Sequence, residues 1–270
     1  MSAARAFPPF DSERLRRMLP CGQQLGSRLL VLTECESTQE LLRAEVDRLG
    51  PDSAGLLVLS ESQSHGRGRR ARDWWTGPPG ANLAVSLAIH PPPNPLESLT
   101  MHGACALAEA TGPEARGRRI ALKWPNDLLL NGVKVAGMLA ETGFEAGIAL
   151  LGLGVNLRVT PPAGVAPYQT GSLHPTVDRE AFLARWLISL ERRLNHAHLV
   201  GPARLESDCL RLLRAWAPHG VQEARSAKAG PLVQFSVQDG LTWGFEGAEI
   251  TRPLGWIDRL DALPASDRSF

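Results

Sequence analysis

The dipeptide Asn131-Gly132, set between the apolar runs 127–130 and 133–142, constrains this chain more than any other feature. Asn-Gly between two such runs is the strongest short-range hairpin signal, because both central residues tolerate the positive φ that a twisted two-residue turn demands. In that hairpin Leu130 pairs with Val133 and Leu129 with Lys134. Lys134 therefore belongs to a strand and not to a flexible tip. Its neighbours are Val133, Val135 and Ala136, so burial beside apolar groups is expected. A buried cation needs an anionic partner. A ligand carboxylate or phosphate is one candidate; a salt bridge to Glu141 or Asp127 is the other. Asp127 could hold a metal or fix a lysine.

Apolar periodicity places further strands at 29–33, 55–60, 82–89, 120–124 and 147–157. Helices are expected at 12–18, 37–49, 96–110, 178–194 and 203–216. In the fourth of these, Phe182, Trp186, Leu190 and Leu194 recur on one face. Ser37 and Glu40 have capping-box spacing at the start of the second. From Gly220 the period falls to two: Val233, Phe235 and Val237, then Asp239-Gly240, then Leu241, Trp243 and Phe245. The expected architecture is α+β, a mixed sheet with helices on one side and a small β-barrel-like appendix. Residues 1–27 read as a loosely built lead-in, 28–218 as the principal domain and 219–270 as the small β domain.

With 270 residues, 43% hydrophobic and 21% charged, the chain can bury a sizeable core. A formal net charge of +1 argues against a strongly basic nucleic-acid binder. No apolar run approaches the roughly 18 residues of a membrane helix, and the first ten residues lack a signal-peptide core. A cytoplasmic protein without membrane contact is expected. Four cysteines without a CxxC pair speak against a disulfide framework or a zinc knuckle. The cations comprise 26 arginines and only Lys123, Lys134 and Lys228. An ammonium is a compact point charge and a guanidinium a broad fork, so the two lysines eleven positions apart mark places that need the former.

Four segments carry chemistry. In the long polar loop 61–80, Gly66 and Gly68 permit close backbone approach to a ligand, and Arg67, Arg69, Arg70 and Arg72 supply anion-binding forks. Trp74 and Trp75 could stack on a base or cover an apolar group. No GK[ST] follows, so the loop is not a P-loop. The blander reading is a solvated basic loop or a nucleic-acid contact. Lys123-Trp124-Pro125-Asn126-Asp127 leads into the hairpin. Gly152-Leu153-Gly154-Val155-Asn156 offers small residues for close approach and a lone amide suited to an adenine edge. Ser37-Thr38-Gln39 is a helix start, either a simple cap or a polar ligand site. A second long loop spans 158–175.

Together the segments ESTQELL (36–42), QSHGRGRRARDWWTGPPGANLAVS (63–86), KWPNDLLLNGVKVAGMLAE (123–141) and GLGVNL (152–157) resemble the biotin–protein ligase family, in order and spacing. The resemblance implies a class II synthetase-like mixed β-sheet with flanking helices and a C-terminal SH3-like β-barrel. It implies formation of biotinyl-5′-AMP from biotin and ATP with Mg²⁺, then biotin transfer to a lysine of a biotin carboxyl carrier protein. It casts Ser37, Thr38, Gln39, Gln63, Gly66, Arg67, Gly68, Arg69, Lys134 and Gly137 as biotin contacts. Arg69, Arg72, Trp74, Lys123, Asn126, Asp127 and Asn156 fall on the ATP side, with Asp127 toward Mg²⁺. Lys134, Arg67 and Arg69 are the expected catalytic groups. Gln39 stands where the family usually has Asn, and Ala71 where Gly is common. No winged helix-turn-helix fits ahead of the match, so no nucleic-acid role is implied; a homodimer is left open. The competing readings are a lipoate or octanoyl transferase, a basic-loop RNA or DNA binder, and a biotin-sensing dimer with weak transfer.

Overall fold

The computed structural model describes residues 7–91, 96–142, 146–165, 168–224, 226, 228–257 and 259–264. Along the chain lie α1 (Ser12–Met18), β1 (Arg28–Leu32), α2 (Thr38–Leu49), β2 (Leu56–Ser60), β3 (Leu83–Ile89) and α3 (Leu96–Ala115). Then come β4 (Ile120–Lys123), β5 (Asp127–Leu130), β6 (Val133–Glu141), β7 (Ala149–Val155), α4 (Arg179–Val200) and α5 (Ala203–Trp216). Six short strands close the chain: β8 (Val221–Glu223), β9 (Ala229–Gly230), β10 (Leu232–Ser236), β11 (Gly240–Phe245), β12 (Ala248–Arg252) and β13 (Leu260–Ala262).

The first seven strands form one mixed sheet in the order β1-β2-β3-β7-β6-β5-β4. Only β1 and β2 run parallel, joined by the α2 crossover that a parallel pair requires. The Asn131-Gly132 hairpin has the expected register, Leu130 opposite Val133 and Leu129 opposite Lys134. The pairing then shifts, so that Leu128 faces Ala136. That bulge re-aims the strand beside the site.

Helices cover both faces of the sheet, not one. Leu42 and Val46 of α2 pack with Val58, Ala88, Ile148 and Leu150 on one side. On the other, α3, α4 and α5 bury Leu57, Leu87, Leu151 and Leu153 in a core centred on Phe182, Trp186 and Leu190. Helix α3 runs past Gly112 and Pro113, where the sequence suggested a stop. Pro113 lies in the last turn, where it removes one amide donor from the hydrogen-bond ladder, and Ala115 beyond it is buried.

The lead-in is not loose within its described part. Leu15 is fully buried, and the Phe10 and Asp11 amides donate to Glu61 and Glu180. The Arg179 guanidinium, 2% exposed, pairs with Glu61 at 2.6 Å and also donates to the Pro8 carbonyl. The C-terminal strands make two three-stranded antiparallel sheets, β10-β11-β12 and β13-β8-β9. The last strand, β13, pairs with β8. Phe235 and Trp243 share one continuous core with Trp124 and Leu128, and the Trp124 indole N–H donates to the Ile257 carbonyl at 3.0 Å. No described helix is long and apolar enough to cross a membrane.

Candidate functional site

A cavity of about 330 Å³ opens on the α2 face of the sheet. Its floor is glycine. Gly137 of β6 lies opposite Gly154 of β7, and Gly152 shares that face two residues earlier. A Cβ on Gly154 would fall 2.2 to 2.6 Å from three atoms of the Trp74 indole. One on Gly152 would lie 2.7 Å from Gln39 Oε1, and one on Gly137 would lie 3.2 Å from Lys134 Nζ. Any side chain here would displace the groups that line the site.

The α2 end supplies a polar wall. Gln63 Oε1 accepts from the Thr38 amide at 2.8 Å, and Gln63 Nε2 donates to Thr76 Oγ1. The Thr38 and Ser86 hydroxyls are 2.9 Å apart, and Ser86 donates to Gln39 Oε1. Ser37 occupies the N-cap position of α2, but its hydroxyl makes no capping bond. The capping-box expectation therefore fails: Glu40 turns instead to Arg67 and Arg43. Ser37 Oγ and Gln39 Nε2 are buried without partners. An unmade buried hydrogen bond costs about 1–3 kcal/mol, so these two atoms are prepared for a polar guest.

The opposite wall is cationic. Lys134 Nζ lies 2.6 Å from Asp127 Oδ1 and donates to the Tyr168 hydroxyl at 3.0 Å. It also sits 4.8 Å from the Tyr168 ring centroid and 5.5 Å from that of Trp74. The salt-bridge alternative is thus realised with Asp127, while Glu141 pairs with Arg43. Two of the ammonium's three donors are engaged, leaving one N–H for the cavity. Tyr168 reaches this place because the 168–171 segment runs beside the start of β6, with the Lys134 amide donating to Gln169 and the Gly171 amide to the Lys134 carbonyl.

Arg67, Arg69, Arg70 and Arg72 line the rim. Burial, and then the neighbouring Arg70, pull the Arg69 guanidinium below its ordinary range, although Asp127 and Glu97 act the other way. An incoming anion would relieve that crowding. Asp127 and Asp73 are the only carboxylates among the described lining residues, and no cluster of three or more metal-ligating side chains occurs among the described residues.

Every candidate from the sequence lines this cavity except Gly66, Trp75 and Asn156. Gly66 packs behind it, where a Cβ would meet the Trp74 carbonyl oxygen at 2.5 Å. Asn156, 2% exposed, braces the second loop by donating to the Gly171 carbonyl. Sequence reasoning missed Ser86, Tyr168, Arg259 and Leu260, which also line the cavity. Ser86 carried a signal, a lone hydroxyl in an apolar strand; Tyr168 is the chain's single tyrosine. Nothing local marks Arg259 or Leu260.

The comparisons with known proteins bear on this geometry. The biotin/lipoate A/B protein ligase family model matches residues 32–156. A biotin–[acetyl-CoA-carboxylase] ligase of Paracoccus denitrificans is 36% identical over 208 residues, 67% of this chain and 85% of that protein. The chain belongs to the biotin/lipoate A/B protein ligase family. A second relative of the same name, from Mycobacterium tuberculosis, is 32% identical over 70% of this chain and 73% of its own length. Among solved structures, the biotin protein ligase from Aquifex aeolicus in complex with biotin and ATP superposes with a TM-score of 0.67 at 23% identity, over 84% of this chain and 95% of that one. That likeness shows the fold: the synthetase-like mixed sheet, its flanking helices and the small C-terminal β unit.

Proposed function

We propose that this chain is an ATP-dependent biotin–protein ligase. The biotin carboxylate attacks the α-phosphate of ATP and expels pyrophosphate, giving biotinyl-5′-AMP. The amine of a carrier lysine then attacks the acyl carbon and expels AMP. The observation that carries this reading is the placement of Lys134, with one donor to spare, in the same cavity as Arg67, Arg69 and the unpartnered Ser37 Oγ and Gln39 Nε2. The ureido group of biotin has one carbonyl and two N–H groups, and the polar α2 wall offers both donors and acceptors to meet them. Carboxylate and phosphate repel as they approach, and preorganised cations lower that cost where charge concentrates. Lys134, Arg67 and Arg69 are assigned that role, and Arg72, Lys123, Asn126 and Trp74 the nucleotide.

When bound, magnesium neutralises phosphate charge and orients the leaving pyrophosphate. The residues fit a metal that travels with the nucleotide, because Mg²⁺ commonly uses one or two carboxylates plus phosphates. Asp127 would be the protein ligand. They do not fit a resident metal, since no three metal-ligating side chains cluster among the described residues.

The acceptor under this reading is a biotin carboxyl carrier protein in the cytoplasm, with no nucleic-acid role; sedimentation decides whether the enzyme is a homodimer. The test is ATP–pyrophosphate exchange with biotin or lipoate as the acid, followed by mass spectrometry of a carrier domain. Exchange with biotin and not lipoate, and one biotinyl group on the carrier, is the expected result. Exchange with lipoate alone would move the assignment to the lipoate branch of the family.

A further inference from the structure

A second cavity, of about 150 Å³, lies among α3, α4 and α5. It is on the opposite side of the sheet from the first. Gly103 of α3 packs on Leu151 and Met138, which alternate along their strands with the cavity-floor residues Gly152 and Gly137. His102 of α3 forms the inner wall. It is 1% exposed, and neither ring nitrogen has a hydrogen-bond partner. Beside it, Arg193 Nε is also buried and unpartnered, although Nη2 of the same guanidinium holds both Glu109 and Asp208. Exposed Arg192, which pairs with Glu109, surrounds the mouth with His196 and Arg204, and no carboxylate is among the described lining residues.

Native proteins rarely leave buried donors unmade, and two such groups meet here in a cationic recess. We propose that this cavity binds a single phosphate-sized oxyanion, held at its inner end by Arg193 Nε and the His102 ring and at its mouth by Arg204 and His196. The volume is below the roughly 300 Å³ at which pockets for larger organic ligands begin, so a nucleotide does not fit. The anion's chemistry can be specified further. Burial, then Arg193 and His198, lower His102 to about 4. Its imidazole is therefore neutral at pH 7, with one N–H and one bare nitrogen. Hydrogen phosphate carries both acceptor oxygens and an O–H, and answers both; sulfate has no proton to offer the bare nitrogen. The inference stands independently of the ligase reading, because it uses no residue of the first cavity.

Calorimetry at pH 7 and constant ionic strength, with inorganic phosphate and with sulfate, tests the affinity. Crystals soaked in arsenate, a phosphate isostere with an anomalous signal, test the location. The expected results are an arsenate peak between His102 and Arg193 and sulfate binding at least about tenfold weaker than phosphate. Arg204→Ala should weaken phosphate at least about fivefold with an unchanged melting temperature, because no described residue forms an ion pair with Arg204; His102→Asn should erase the preference over sulfate. A phosphomonoester that binds as tightly as inorganic phosphate would assign the site to a phosphorylated ligand, and weaker binding to the free ion. An arsenate peak confined to the first cavity, or phosphate affinity unchanged in both variants, would overturn the proposal.

Discussion

Replacing Lys134 tests the assigned chemistry most sharply. Its side chain is 10% exposed and that of Asp127 16%, with 2.6 Å between their charged atoms. Breaking a fully buried pair costs about 3–5 kcal/mol. Here water reaches both groups through the cavity, and we expect Lys134→Ala to cost about 1–2 kcal/mol of stability, or roughly 2–4 °C in melting temperature per kcal/mol for a chain of this size. The catalytic loss should be larger. Removing one preorganised donor from a site of developing charge costs about 2.7–4 kcal/mol, a factor of 10² to 10³. Lys134→Arg keeps the charge but not the shape. Nζ lies 3.2 Å from where a Cβ on Gly137 would stand, and Trp74 and Tyr168 close two further sides, so a planar fork has nowhere to lie. We expect at least a tenfold loss, about 1.4 kcal/mol, in kcat/KM for biotin-dependent pyrophosphate exchange, with a folded protein by thermal melting. Exchange within about threefold of wild type in Lys134→Arg would refute the argument for a compact cation.

Three further outcomes are expected. Gly154→Ala puts a methyl group 2.2 Å from the Trp74 ring, so the ring must leave the cavity floor. Overpacking of about 1–3 kcal/mol and a weaker biotin titration should result, and calorimetry matching wild type would contradict the glycine floor. Glu61→Gln removes the partner of an Arg179 that is only 2% exposed and should cost about 3–5 kcal/mol in denaturant unfolding; a change under about 1 kcal/mol would mean the pair is not structural. Stability should fall as pH drops from 6.5 to 4, because the unfolded His102 takes up a proton that the folded one, held at about 4, refuses. The full difference is about 3 kcal/mol, and a His102→Asn variant with the same slope would assign it elsewhere.

What the sequence made legible is local. The hairpin register through Lys134 follows from two residues of turn chemistry, and α5 begins and ends where its apolar spacing indicates. The bulge between Leu128 and Leu129 was not legible, since strand slippage depends on packing from both sides. Ser37 has the spacing of a cap, yet its hydroxyl makes no capping bond, and the Glu40 carboxylate pairs instead with Arg67, 27 residues on. The same holds for the wall of the cavity. Motif residues announce themselves, whereas Arg259 arrives from the far end of the chain through a core that joins Trp124 to Phe235, with ring centroids 6.5 Å apart. The lead-in looked loose because its anchors, Glu61 and Glu180, lie 51 and 169 residues from the amides they hold.

A crystal structure with a non-hydrolysable biotinyl-adenylate analogue measures the central claim directly. The acyl–phosphate junction should lie within hydrogen-bonding reach of Lys134 Nζ and the 66–72 loop, with the bicyclic ring beside Ser37, Gln39 and Gly152. An analogue bound elsewhere, with Lys134 still closed on Asp127 and Tyr168 alone, would contradict it.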